Sequence, residues 1–126
     1  MLNKSARTPN LLILTFLATL LAPLTASAQD RLCDPQFEDC RTPILNLIRQ
    51  EQQGIDVAFW YMSDALYAQE LINRKNAGVP VRVLMDDQAN NSHPANATIL
   101  QMLRDAGIPM RNKVAGDILH FKTMLF

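Results

Sequence analysis

The spacing of apolar positions changes repeatedly along this chain, and each change predicts an element. In RTPILNLIRQEQQG (41–54), Ile44, Leu45, Leu47 and Ile48 recur at helical spacing. Thr42 stands where a helix cap belongs, Pro43 at the first helical position, and Gly54 where the helix can end. IDVAFWYM (55–62) is mostly apolar on both faces and rich in aromatic and β-branched residues, the pattern of a central strand covered on both sides. SDALYAQELINRKNAG (63–78) returns to helical spacing, with Ser63 as the cap, Leu66, Leu71 and Ile72 toward a sheet, and Gly78 at the left-handed terminus. VPVRVLM (79–85) is a second strand. DDQANNSHP reads as a polar loop, ANATILQMLRDAG as a helix closed by Gly107, and IPMRNKVAGD as a short strand and turn. ILHFKTMLF (118–126) alternates as a terminal strand, with His120, Lys122 and Met124 on one side and Leu119, Phe121, Thr123 and Leu125 on the other.

Strand, helix and strand follow one another within about 30 residues, the size of a βαβ unit. Such a unit makes the two strands parallel and the crossover right-handed. The predicted class is therefore α/β, with a mixed, largely parallel sheet flanked by helices. Internal repeats, low-complexity tracts and interdomain linkers are absent from the sequence, which has the length of one domain.

The amino end has a different character. MLNKSARTPN carries Lys4 and Arg7 and no acid; the apolar run LLILTFLATLLAPL follows, and then TASAQD. A basic start, a short apolar run and Ala26-Ser27-Ala28 together predict a secretory signal peptide over residues 1–28, cleaved after Ala28. The apolar run has 14 residues, short of the roughly 20 that a spanning helix needs. The alternative is a retained anchor; on the signal-peptide reading the mature chain has no transmembrane anchor and is secreted or periplasmic. Losing Lys4 and Arg7 leaves 10 Lys and Arg against 12 Asp and Glu in residues 29–126, a formal charge of −2. No Lys/Arg run is present, so the electrostatic footprint of a dedicated nucleic-acid binder is missing. Cys33 and Cys40 are close in sequence, and in an exported chain such a pair predicts a disulfide. Two free thiols are the alternative; a zinc site lacks further ligands nearby.

Three polar features stand apart from the core pattern. Asp86-Asp87 lies at the carboxyl end of the second strand, where open α/β sheets bind their ligands. Those two carboxylates suit either a solvated turn or a divalent cation at a phosphate. His93 precedes Pro94 in the polar loop and reads as an exposed turn residue. His120 and Lys122 share one side of the terminal strand. Either they decorate a sheet edge, where Lys is a usual blocker, or they act together.

CDPQFEDCR, IDVAFWYMSDALYAQELINRKNAGVPVRVLMDD and ILHFKTMLF together resemble the amino-terminal half of the phospholipase D superfamily, whose signature is H-x-K-x-x-x-x-D. The resemblance covers residues 30–126 and implies a catalytic domain over 29–126. It implies a metal-independent phosphodiester transfer through a phosphohistidine, with no cofactor. Carried onto this chain, His120 is the nucleophile, and Lys122 binds a substrate phosphate oxygen and offsets charge in the transition state. The signature Asp falls seven residues after His120, at position 127, one beyond Phe126. The family uses two copies of the motif, so the resemblance implies a fragment whose second motif comes from a carboxyl-terminal half or a dimer partner. A single motif lacks the general acid and is expected to be inactive alone. The expected activity is a secreted hydrolase for phospholipid head-group diesters. The alternatives are an endonuclease of the same family, which the slightly acidic charge does not favour, and a non-catalytic exported half-domain.

Overall fold

Alternation within the strands separates two unlike faces in the computed structural model, which describes residues 31–113 and 116–126. The expected signal peptide and its cleavage point lie outside these residues. The compact unit begins at Cys33. Its elements are α1 (Arg41–Gln50), β1 (Ile55–Phe59), α2 (Ala65–Asn76), β2 (Val81–Asp86), α3 (Asp87–Ser92), α4 (Ala95–Asp105), β3 (Met110–Lys113) and β4 (Lys122–Leu125). They form a four-stranded sheet of order β3-β2-β1-β4. β1 and β2 pair in parallel, as do β2 and β3, whereas β4 runs antiparallel to β1. The mixed, mostly parallel sheet expected from the sequence is the one observed.

Strand order advances in one direction from β1 to β3, so successive right-handed crossovers deliver α2 and α4 to the same face. There Ile55, Val57, Val81, Val83 and Met85 meet Ile48 of α1, Ala68 and Leu71 of α2, and Ile99, Leu100 and Leu103 of α4. The intervening residues Asp56, Ala58, Arg82, Leu84, Arg111, Thr123 and Leu125 line a shallow depression on the opposite face. The expectation that β1 is covered on both sides is therefore corrected. Asp56 and Ala58 are only partly buried, and Asp56 pairs with Arg82 across the open face. Among the described residues, no helix is long and apolar enough to cross a membrane.

The helix starts differ from their sequence reading by one to three positions. Asp39, not Thr42, caps α1: its carboxylate accepts from the amides of Arg41 (2.9 Å) and Thr42 (3.1 Å). Asp64, not Ser63, caps α2, accepting from the Leu66 amide at 2.8 Å while Arg41 donates to the same oxygen at 2.6 Å. A carboxylate is the stronger acceptor at the positive end of a helix, and in both places it displaces the neighbouring hydroxyl. Leu66 is 46% exposed while Ala68 and Leu71 face the core, because five residues of helix set Leu66 and Leu71 about 140° apart. Gly78 and Gly107 both adopt the left-handed backbone expected after a helix, at φ 92° and 70°. Cys33 and Cys40 are joined as a disulfide at the entry to α1.

Two segments change class. The polar stretch after β2 is a short helix, α3, because Asp86 caps it by accepting from the Ala89 amide at 2.9 Å. The terminal strand is shorter than the expected 118–126. Leu119 gives its amide to Asp86 instead of a strand partner, and the ladder beside β1 begins where the Trp60 amide meets the Phe121 carbonyl at 2.7 Å.

Leu103 is fully buried between α4 and the sheet. Leu103→Ala is expected to cost about 2–5 kcal/mol of unfolding free energy. Leu66→Ala, on the outer side of α2, is expected to cost about 1 kcal/mol or less. Urea denaturation of the two variants measures the difference, and equal losses would contradict the one-sided core.

Candidate functional site at the carboxyl edge of the sheet

Because β4 runs antiparallel to β1, its first residue lies beside the last residue of β1: Lys122 is in register with Phe59. Two residues earlier, His120 is carried past the end of β1 to the carboxyl edge of the parallel strands. Asp86 at the end of β2 and Lys113 at the end of β3 are in register at the same edge. A crevice beyond these strand ends is the usual ligand position in open α/β sheets.

Trp60 and Tyr61 leave β1 at this edge. The His120 ring stands edge-on to the indole of Trp60, with centroids 4.9 Å apart. His93 follows α3 and approaches the same indole at 6.0 Å while stacking on Tyr61 at 5.1 Å. His93 Nδ1 lies 2.9 Å from the Ala89 carbonyl oxygen. A carbonyl can only accept, so Nδ1 carries the hydrogen and Nε2 is the ring nitrogen left for other partners. Both imidazoles are exposed, as is Lys122. His93 is therefore a surface residue as expected, but it belongs to a ring cluster rather than to an isolated turn. Trp60 and Tyr61 read as strand residues in the sequence. Their aromatic density at the end of a strand is the one signal that would have marked them.

Asp86 is buried, and both carboxylate oxygens are engaged. Oδ1 accepts from the Ala89 amide at 2.9 Å and Oδ2 from the Leu119 amide at 2.7 Å. The Asn90 side-chain amide donates to the Asp86 carbonyl at 2.5 Å. Leu119 N–H first, then Ala89 N–H, hold the Asp86 carboxyl below its ordinary value, and the positive charge of Lys113 adds to them. The divalent-cation alternative thus finds Asp86 already occupied by the protein's own amides. Among the described residues, no group of three or more His, Cys, Asp or Glu is placed to hold a metal ion.

The family described as cardiolipin synthase, PLD-like domain, matches residues 44–126. The chain belongs to the phospholipase D-like family. Members of that family are phosphodiesterases, and the match includes His120 and Lys122. A crystal structure of a phospholipase D family member, Nuc from Salmonella typhimurium, superposes with a TM-score of 0.63 at 23% sequence identity. The superposition takes in 67% of this chain and 55% of Nuc, so the chain spans about half the length of that solved relative. At this identity the likeness is one of fold. No curated protein matches the chain.

The depressed pKa of Asp86 has a consequence for stability. A carboxylate lowered by folding contributes stability that is fully present above its unfolded value, about 3.9, and is lost as pH falls through the folded value. Asp86→Asn is therefore expected to be less stable than the parent at pH 7, with the gap narrowing below about pH 4. Urea midpoints from pH 7 down to strong acid measure it. A gap that stays constant in acid would mean the Asp86 charge does not support the fold.

Proposed function

We propose that this protein is an exported phosphodiesterase of the phospholipase D type, with His120 as the nucleophile and Lys122 as the phosphate-oxygen ligand. The observation that supports this most is the arrival of both residues at the carboxyl edge of the sheet through the antiparallel return of β4. A ring nitrogen of neutral His120 attacks phosphorus, and an N–P bond forms as the P–O bond to the leaving alcohol breaks. The Lys122 ammonium faces the charge that builds on the phosphoryl oxygens. The leaving alkoxide takes a proton from a second histidine, supplied by a second motif in a longer chain or by another subunit. Water then attacks phosphorus while giving a proton to the second histidine, the N–P bond breaks, and the phosphate monoester departs with both imidazoles restored.

A phospholipid head-group diester is the favoured substrate. Ile118 and Phe121 flank His120 and are 62% and 59% exposed, which suits a nucleophile that works at an apolar boundary. The matched family is also described by a phospholipid synthase. Export through a signal peptide over residues 1–28, cleaved after Ala28, to the periplasm or medium agrees with the Cys33–Cys40 disulfide, which requires an oxidising compartment.

The natural protein is expected to hydrolyse phospholipid vesicles in the presence of a chelator. His120→Ala should lower turnover by more than about a thousandfold and Lys122→Ala by about a hundred- to a thousandfold. Mass spectrometry of the acid-sensitive adduct should find phosphorus on His120. Turnover that is abolished by the chelator and survives His120→Ala would falsify this reading. Cleavage of single-stranded DNA in place of lipid would retain the mechanism and transfer the substrate to polynucleotides.

A further inference from the structure

Two histidines from different segments reach one tryptophan, and both lie outside the strands and helices. His120 precedes β4, and His93 follows a six-residue helix. Backbone bonds hold each segment locally, from the Trp60 amide to the Phe121 carbonyl at 2.7 Å and from the His93 amide to the Asn90 carbonyl at 3.3 Å, and each segment has a further connection to the same carboxylate. On one side, Asp86 Oδ2 accepts from the amide of Leu119, the buried neighbour of His120, across 33 residues of sequence. On the other, Asp86 Oδ1 accepts from the amide of Ala89, whose carbonyl in turn receives Nδ1–H of His93.

We propose that Asp86 is a positioning residue that sets His120 and His93 together against Trp60. Its use at the nucleophile rests on the phosphodiesterase reading above. Its geometric role does not.

The chemistry of the two bonds explains why a carboxylate is needed. Both partners are amide N–H groups, so the site calls for two acceptors on one short side chain. An ionised Asp has acceptors only, whereas Asn offers one acceptor and one NH₂ donor. Asn at position 86 therefore points a donor at one of the two amides, and that connection is lost. Glu adds a methylene at a buried position and displaces both oxygens. The end of β2 supplies a rigid base for the carboxylate, because Met85 beside it is fully buried and the strand pairs on both sides. Catalysis by a positioned nucleophile is sensitive to this kind of anchoring, since a displacement of about 1 Å can cost about a hundredfold in rate.

The test uses the natural protein and two readouts. Single substitutions of Trp60, His93 and His120 assign the nuclear Overhauser contacts between this indole and each imidazole in the natural protein. In the parent, Trp60 is expected to show contacts to both His93 and His120. In Asp86→Asn at least one set should disappear. The kcat for bis(p-nitrophenyl) phosphate should fall about a hundredfold with KM nearly unchanged. Leu103→Ala, which removes core packing elsewhere, should lower the melting temperature and keep both sets of contacts. Intact contacts to both rings in Asp86→Asn would overturn the proposal. So would a loss matched by Leu103→Ala, because general loosening would then explain it.

If Asp86→Asn does not fold, the parent still decides the matter. The Leu119 and Ala89 amide resonances should report one shared titration in acid, and separate midpoints would refute the common anchor. If the Overhauser contacts behave as expected but the parent hydrolyses no diester, the phosphodiesterase reading falls and the positioning role stands.

Discussion

Leu119 gives its amide to the Asp86 carboxylate and not to a neighbouring strand, and the course of the last ten residues follows from that choice. A chain that continued β4 backwards in full register would carry His120 as one more residue of the ladder. Instead the ladder stops at the Trp60–Phe121 bond, and the preceding residues cross the sheet edge toward β2. The bond is strong for physical reasons. It joins an ionised acceptor to a backbone donor in a buried setting, where charge-assisted hydrogen bonds are about twice as strong as neutral ones. The same carboxylate also creates α3, a helix whose Asn-rich sequence has little intrinsic tendency to form one. One side chain thereby decides the path of two segments that local propensity leaves open.

Much of the scaffold was legible in the sequence, because periodicity reports burial directly. The strand–helix–strand order, the parallel pairing of β1 with β2, and the left-handed Gly78 and Gly107 follow from apolar spacing and backbone sterics. What was not legible depended on distance across the fold. Thr42 and Ser63 are good caps by residue type, but Asp39 and Asp64 sit close enough to compete and carry a charge. Leu66 was read as sheet-facing with Leu71, but the five residues between them place the two on different sides of the helix. The aromatic run ending β1 looked like continuous core, yet Trp60 and Tyr61 meet His93 and His120 beyond the strand. Residues so far apart in sequence share no period, so no pattern along the chain announces their meeting. Alternation put His120 and Lys122 on one side of the terminal strand, and the match to a family signature set them apart from an edge decoration.

The sheet itself has two unlike sides. Right-handed crossovers that advance in one direction must stack their helices on one face, which makes odd-numbered residues of β1 and β2 the core and leaves even-numbered ones on the open side. Asp56 and Arg82 occupy adjacent strands there as an exposed ion pair, an arrangement that keeps polar groups in water but adds little stability. Met124 packs toward Val57 on the core side, and Lys122, two residues earlier, continues that side beside Phe59 at the end of β1. The alternation of β4 thus does two jobs. Its inner residues anchor the strand, and the first of them becomes polar where the helices no longer cover the sheet.

Local charge at that edge matters more than the formal charge of the whole chain. A net charge of −2 over residues 29–126 argues against broad attraction to polyanions. At the carboxyl edge, however, two backbone amides already face the negative charge of Asp86, and the positive charge of Lys113 adds to them. Lys122 remains exposed a short way along the same edge, next to an exposed imidazole. On the proposed reading, a small anionic diester arriving there would meet an ammonium and a ring nitrogen, with the apolar Ile118 and Phe121 beside them. A long polyanion would need cations repeated along a groove to gain comparable affinity. On the proposed reading, the exposed Ile118 and Phe121 favour a single phosphate carried on an apolar body over a polynucleotide.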